Sequence, residues 1–174
     1  MTTTIERPTR RLTPTVRKWL LLLHIVTSVG WLGLNVANLT LAVTGLTTGD
    51  ATTQHSALGA MHLVGGPLLI PVSLLAYTSG IALGYYSKWG VFRYRWVLVK
   101  FILTTIAVVL VPLSLLPGLH ELSAQVAATP QGTLADVGSM GWDMLSAGIV
   151  STSMYVTCAV LSVLKPWGRT RRVS

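Results

Sequence analysis

The sequence predicts an all-α integral membrane protein, built as an up-down bundle of four transmembrane helices. Of its 174 residues, 51% are apolar and only 10% are charged, whereas a soluble domain carries about 25% charged residues. The apolar residues form four stretches long enough to cross a hydrocarbon core of about 30 Å. This composition excludes a disordered chain and an ordinary soluble enzyme, because a soluble fold of this size could not cover so much apolar surface.

The four predicted spans cover residues 19–46, 62–86, 96–116 and 142–164. At a rise of about 1.5 Å per residue each span crosses the hydrocarbon, and the first has length to spare for tilt. The spans must be helical because lipid offers no partner to a free backbone group, and short connections favour an up-down bundle. The predicted organisation is a basic tail at 1–17, a transmembrane domain at 18–166 and a second basic tail at 167–174.

Basic residues mark one side of the predicted membrane domain. Twelve of the 13 Lys and Arg residues lie in the two tails and in the connection after the second span: Arg7, Arg10, Arg11, Arg17, Lys18, Lys88, Arg93, Arg95, Lys165, Arg169, Arg171 and Arg172. The other two connections, at about residues 47–61 and 117–141, contain none. Cytoplasmic loops collect Lys and Arg, so we expect both termini in the cytosol and the protein in a bacterial plasma membrane.

The formal net charge of +8 follows from this topology. Because the basic residues sit where topology requires them, we expect them to face the anionic headgroups of the lipid bilayer and expect no nucleic-acid partner. Cys158 is the single cysteine and lies in the fourth span. The chain therefore offers no disulfide and no cysteine-based metal cluster.

Polar residues inside the spans identify the faces that we expect to point inward. In the first span they follow one helical stripe: His24, Ser28, Trp31, Asn35 and Asn38. In the third span Lys100 shares a face with Thr104, and in the fourth a similar row is formed by Asp143, Ser146, Val150, Ser153 and Thr157. A charged side chain at the bilayer centre costs roughly 2.5–3.5 kcal/mol, which makes Lys100 a candidate functional residue.

The second span contains helix-bending and small residues. Pro67 and Pro71 each remove a backbone hydrogen bond and are expected to bend the helix. Gly80 and Gly84, four residues apart, would let another helix approach closely. We expect that helix to belong to the same bundle rather than to a second molecule.

Depth in the membrane restricts which residues could share a cofactor. His24 lies six residues beyond Lys18, about 9 Å inside the cytosolic edge, and Lys100 lies at a similar depth. His62 lies at the outer end of the second span, about 20 Å from His24 along the membrane normal. The two imidazoles are therefore predicted not to ligate the same haem iron.

Four local patterns resemble a known group of membrane proteins. They are His24 with Trp31 in the first span, Pro71 with Gly80 in the second, the sequence Trp96-Val-Leu-Val-Lys100 in the third and Leu164-Lys165-Pro166 after the fourth. In this order they resemble the small membrane-bound protoporphyrinogen oxidase of the HemJ type and the related membrane domain of copper resistance protein D. They are also similar to four-span proteins of actinobacteria in the same grouping. The resemblance covers roughly residues 17–167.

The resemblance implies a b-type haem within the bundle and a haem-dependent membrane oxidoreductase. It assigns His24 as the axial ligand and Lys100 as the residue required for activity. The HemJ type also carries an Asn-Glu-x-Pro motif where this chain reads Ser139-Met-Gly-Trp-Asp143. The full set of expected cofactor-binding residues is His24, Ser28, Trp31, Asn35, Arg93, Arg95 and Trp96.

The chemistry of the residues suggests how such a haem would be held. Lys100, Arg93 and Arg95 lie where haem propionates would emerge toward the cytosol. The second nitrogen of a ligating imidazole needs a hydrogen-bond partner, for which Ser28 or a backbone carbonyl could serve. Without a cofactor, His24 would instead be a structural residue that forms hydrogen bonds within the bundle, and the Lys100 side chain would extend to the nearer membrane–water interface.

Two other functions remain open from the sequence. A copper-handling protein would use imidazoles and thioethers near the outer ends of the spans: His55, Met61, His62, His120, Met140 and Met144. A non-enzymatic accessory subunit would instead present Gly80, Gly84 and the stripe of Trp31, Asn35 and Asn38 to a membrane partner or to a second copy of the chain.

Overall fold

The computed structural model describes residues 12–87, 89–168 and 170, and this part of the chain is helical without a strand. The helices are α1 (Pro14–Thr47), α2 (Ala51–Tyr86), α3 (Arg95–Leu110), a π-helical segment (Val111–Leu115), α4 (Leu116–Ala128) and α5 (Gly138–Leu164). α3, the π segment and α4 follow one another without a break, so the chain has four candidate membrane-spanning units. The predicted four-span helical membrane architecture is thus confirmed. Several of the predicted basic residues lie outside the described part: Arg7, Arg10, Arg11, Lys88, Arg169, Arg171 and Arg172.

The four units run antiparallel and form a ring. α1 packs against α2 and α5, and the unit from α3 to α4 also packs against α2 and α5. Residues near the start of α1 therefore contact residues near the end of α2; the His24 ring, for example, contacts the Ala76 carbonyl. Both described ends of the chain lie at one end of the bundle, which we call the basic end. The opposite end, the acidic end, carries Asp50, Glu121, Asp136 and Asp143.

The helices extend beyond the predicted spans at the acidic end. The connections expected at about 47–61 and 117–141 are mostly helical, and only residues 48–50 and 129–137 remain outside helices there. The apolar runs stop where polar residues appear, but the buried faces continue for several more turns. In α4 the spacing of Leu119, Leu122 and Val126 keeps one face against the core up to its end.

A side-chain cap fixes where α2 begins. Asp50 lies just before the helix, and its Oδ2 accepts hydrogen bonds from the Thr53 hydroxyl over 2.7 Å and from the Thr53 backbone N–H over 2.8 Å. These hydrogen bonds lower the pKa of Asp50, because they favour the charged carboxylate. The tight turn at 48–50 therefore follows from an acidic residue in the N-cap position.

The interruption of helical geometry lies in the third unit rather than in the second. α2 continues as an α-helix through Pro67 and Pro71. In the third unit Pro112 supplies no N–H to the preceding turn, and the Leu116 N–H bonds the Val111 carbonyl five residues back. The π segment thus contains one extra residue in a helical turn that includes a proline.

Glycines let the helices approach at several crossings. A Cβ at Gly45 of α1 would lie 2.5 Å from Leu58 Cδ2 of α2, and Leu58 is 1% exposed. A Cβ at Gly65 of α2 would lie 2.9 Å from Leu119 Cδ1 of α4. Both distances are shorter than real Cβ contacts, so a larger residue at either glycine would force the facing leucine to shift.

We expect Gly45→Leu to lower the free energy of unfolding by about 1–3 kcal/mol, because the added side chain overpacks the contact with Leu58. Gly33→Leu is the matched control, since a Cβ at Gly33 of the same helix meets no atom within 4 Å. Reversible unfolding in mixed micelles with increasing dodecyl sulfate measures both variants. Equal losses in the two variants would show that the close approach to Leu58 does not set the effect.

Candidate functional site

His24 of α1 is held by the backbone and a side chain of α2. Its Nδ1 lies 3.0 Å from the Ala76 carbonyl oxygen and 3.1 Å from Ser79 Oγ. Ser79 in turn donates its hydroxyl hydrogen to the Leu75 carbonyl over 2.5 Å, which leaves its oxygen free to accept. Ser28 was expected as a hydrogen-bond partner of the His24 ring, but it does not bond to it. Ser28 lies on α1 itself, whereas the acceptors that the ring contacts belong to α2.

These contacts determine the tautomer of His24. A backbone carbonyl only accepts hydrogen bonds, so Nδ1 must carry the hydrogen that it donates to Ala76. A neutral imidazole protonated at Nδ1 presents the lone pair of Nε2. The structure gives Nε2 no hydrogen-bond partner among the described residues, so this nitrogen remains available to a ligand.

Gly80 makes room for the His24 ring. A Cβ at Gly80 would lie 2.9 Å from Cε1 of the imidazole, and one at Gly84 would lie 3.0 Å from Val91 in the following connection. The two small residues were expected to admit another helix of the same bundle. Gly80 does so by admitting the His24 side chain of α1, whereas Gly84 admits the turn after α2.

Lys100 of α3 occupies the same end of the bundle as His24. Its Nζ donates to the Ser162 hydroxyl of α5. The described acidic residues all lie at the acidic end, so no carboxylate of the described chain accompanies this ammonium. Lys100 is half-buried, and its one hydrogen-bond partner among the described residues is neutral.

Asn35 links α1 to α5 near the middle of the bundle. Its Nδ2 donates to the Gly148 carbonyl over 3.1 Å and to Thr152 Oγ1 over 2.5 Å. Its Oδ1 accepts from the Ser151 hydroxyl over 3.0 Å. Since Asn35 is 4% exposed, these bonds provide partners to an amide that is shielded from bulk water.

The rest of the predicted stripe on α1 also faces the interior. Trp31 is buried, and its ring centroid lies 4.6 Å from that of Tyr155 on α5. Asn38 is buried between α1 and α2, while Ser28 is half-buried. Trp31, Asn35 and Asn38 therefore face α5 and α2, about two to four helical turns from His24.

The remaining predicted residues at the basic end do not converge on His24. Arg93 and Arg95 are exposed in and after the connection from α2 to α3. Their backbones pair with the segment after α5, because the Thr170 N–H donates to the Arg93 carbonyl over 3.0 Å and the Arg95 N–H faces the Gly168 carbonyl at 3.5 Å. Trp96 is buried against Trp89, with ring centroids 5.5 Å apart.

The row expected to face inward on α5 faces outward instead. Asp143, Ser146, Val150, Ser153 and Thr157 are all exposed on the bundle surface. Three of their hydroxyls bond the carbonyl four residues back, as Ser146 does with Trp142 over 2.8 Å. The inward polar residues of α5 are instead Ser151, Thr152, Tyr155 and Ser162.

A second group of polar residues lies toward the acidic end. The rings of His62 on α2 and His120 on α4 have centroids 5.6 Å apart. His62 Nδ1 is buried without a hydrogen-bond partner, and Met144 of α5 packs over Gly118, one half-turn from His120. His55 lies apart from this pair, with its Nε2 3.1 Å from the Thr133 carbonyl.

His24 and His62 are well separated along the bundle. His24 contacts α2 at Ala76 and Ser79, and fourteen residues separate Ala76 from His62, or about 21 Å along a helix. The two imidazoles therefore belong to different sites. Nowhere in residues 12–87, 89–168 and 170 do three or more His, Cys, Asp or Glu side chains form a metal-binding group.

Several partners in these sites could not be identified from the sequence. Ser79, Ser162 and Thr152 were not singled out, because serine and threonine are frequent throughout the spans and their roles depend on which helices are neighbours. Gln54 was also missed: it binds both backbone groups of Ala135, at 2.7 and 3.2 Å, and holds the 129–137 connection against α2. Comparison with known proteins found no matching family model, curated protein or solved structure.

We expect Asn35→Ala to lower the free energy of unfolding by about 1 kcal/mol, because the substitution removes the hydrogen bonds between α1 and α5. Thr40→Ala is the control, since Thr40 is exposed and bonds only the Val36 carbonyl of its own helix. Dodecyl sulfate unfolding again provides the measurement. A loss in Thr40→Ala as large as that in Asn35→Ala would mean that the contacts to α5 contribute nothing.

Proposed function

We propose that this protein is a multi-pass membrane protein that binds b-type haem through His24 and has a redox role. The observation that carries the proposal is the orientation of His24. A haem-ligating histidine donates its other ring N–H to a carbonyl, carboxylate or water, and this bond orients the ring and raises the basicity of the ligating nitrogen. The contact between Nδ1 and the Ala76 carbonyl supports that arrangement and leaves Nε2 for iron.

Lys100 supports the proposal as an ammonium that needs an anion. An intramembrane lysine is costly unless it is paired, and its one hydrogen-bond partner here is the neutral Ser162 hydroxyl. A haem propionate would supply the missing negative charge within the same half of the bundle. Arg93 and Arg95, exposed at the basic end, would be available to the second propionate if it extends toward water.

The packing around His24 limits where a haem could lie. The ring edge that faces α2 is filled, since Cε1 lies against Gly80. His24 lines neither the surface groove of about 350 Å³ near Thr53 nor the space of about 20 Å³ near Asn38. Haem would therefore have to occupy the side of His24 away from α2, with α3 or α5 displaced to admit it. Bound there, haem would supply one-electron chemistry.

The distribution of charge supports an orientation with the basic end in the cytosol. Lys and Arg accumulate in cytoplasmic loops, and the described connections at the acidic end contain none. This orientation places both termini in the cytosol, and we infer a bacterial plasma membrane as the location. The described acidic residues would then face the outside.

Absorption spectroscopy of the purified protein tests the haem proposal. We expect protein produced in haem-supplemented cells to show a Soret band, and His24→Ala to retain less than about a tenth of the bound haem because the axial ligand is lost. Lys100→Met should also lower the haem content, while Lys100→Arg preserves the charge and should retain it. His55→Ala is the matched control, because His55 belongs to neither site.

Two results would contradict the proposal. One is a colourless preparation from cells rich in haem. The other is a Soret band of equal intensity in His24→Ala and in the unsubstituted protein, with circular dichroism confirming that both are helical.

A second candidate function, copper handling, is favoured by the pair of His62 and His120. Their rings lie 5.6 Å apart between centroids, and the buried Nδ1 of His62 has no other partner. Imidazoles suit copper as ligands. His120 is exposed, so a metal ion could reach the pair from outside the bundle.

Titration with copper(I) in the presence of a chromophoric competitor tests the second candidate. We expect His62→Ala and His120→Ala each to weaken binding at least about tenfold, because each removes one of two imidazole ligands. His55→Ala serves as control, since its ring is engaged with the Thr133 carbonyl. Unchanged affinity in both site variants would eliminate the copper site.

A further inference from the structure

One buried acceptor in the middle of the bundle has no partner in the described chain. Asn38 of α1 is 9% exposed, and its Oδ1 is inaccessible and accepts no hydrogen bond. The amide faces α2 closely, since a Cβ at Gly65 would lie 3.0 Å from Asn38 Nδ2. A buried carbonyl oxygen within a membrane bundle requires a donor, because lipid provides none.

A small, partly open space lies beside this acceptor. It has a volume of about 20 Å³ and is lined by Asn35, Asn38, Met61, Leu115 and Met144, among others. A water molecule needs at least about 10–15 Å³ of such space, so the cavity holds one water and no larger ligand. All four units of the bundle contribute to its walls.

We propose that this cavity is a binding site for a single water molecule, held between Asn38 and Asn35. The Asn35 Oδ1 accepts one hydrogen bond, from Ser151, and a carbonyl oxygen has capacity for two. The water donates one hydrogen to Asn38 Oδ1 and the other to Asn35 Oδ1.

The composition of the walls favours water over an ion or an empty space. No charged side chain lines the cavity, so an ion would lie without a counter-charge in the region of lowest dielectric. Cavities that stay dry are lined by apolar groups alone, whereas this one contains a carbonyl oxygen in need of a donor. The water site depends only on these groups and is independent of haem or copper binding.

The water site also borders the irregular part of the third unit. Leu115 is the last residue of the π segment, and it lines the cavity together with residues of α1, α2 and α5. The extra residue of the π segment changes which side chains of the third unit face the bundle axis at this level. The cavity is thus formed where a regular helical surface is interrupted.

Hydroxyl-radical footprinting with synchrotron X-ray pulses tests the proposal on the full-length protein in detergent. Radicals generated from a bound water oxidise the adjacent thioether, and Met61, at 3% exposure, is otherwise shielded from solvent. We expect Met61 to be oxidised in the unsubstituted protein. In Asn38→Leu, which removes the acceptor and fills the cavity, Met61 oxidation should fall at least about fivefold while oxidation of Met154 stays unchanged.

A second measurement uses only the unsubstituted protein, in case Asn38→Leu does not fold. After rapid mixing into water labelled with ¹⁸O, the label should enter the Met61 sulfoxide more slowly than that of half-buried Met140, because a bound water exchanges more slowly than bulk water. Absence of Met61 oxidation in the unsubstituted protein would overturn the proposal. Equal Met61 oxidation in Asn38→Leu, or equally rapid labelling of both methionines, would also overturn it.

Discussion

The absence of water from the bilayer interior is the constraint on which this structure depends. Every polar group on an inward helix face must find its partner within the bundle. Asn35 meets this requirement through three groups of α5, and His24 through the backbone and Ser79 of α2. Lys100 has only the neutral Ser162 hydroxyl as a hydrogen-bond partner among the described residues, and the buried atoms Trp31 Nε1, Asn38 Oδ1 and His62 Nδ1 have none there. The same constraint shapes the fold and locates its candidate sites.

The sequence was sufficient to predict the class of protein, the four spans and the inward face of α1. The inward face of α1 could be predicted because Trp31, Asn35 and Asn38 are too large and polar to face lipid, so their helical spacing indicates burial. The corresponding prediction for α5, based on a similar spacing of polar residues, was wrong. A serine such as Ser146 satisfies its hydroxyl on the carbonyl of the preceding turn, at almost no cost in lipid. A row of small hydroxyl residues is therefore compatible with either face.

Other parts of the site depend on which helices are neighbours, and one sequence does not contain that information. The Ala76 carbonyl that orients His24 is a backbone group, so the residue types in the sequence do not identify it. The helices are longer at the acidic end than predicted, because hydropathy indicates which residues contact lipid and not which residues are helical. Gln54 continues the buried face of α2 among polar residues, and its bonds to Ala135 depend on a connection 81 positions later.

The π segment at Val111–Leu115 has a consequence for how this chain tolerates changes in length. A π turn is an α-helix with one surplus residue, and each residue rotates an α-helix by about 100°. The π turn takes up the surplus residue, so the α-helical segments on either side keep their rotational phase. Deleting one residue here would restore regular α-helical winding and leave Leu119 and Leu122 facing the core. A single-residue deletion should therefore be tolerated within the π segment, whereas one in the regular part of α3 would rotate the helix that follows it by about 100°.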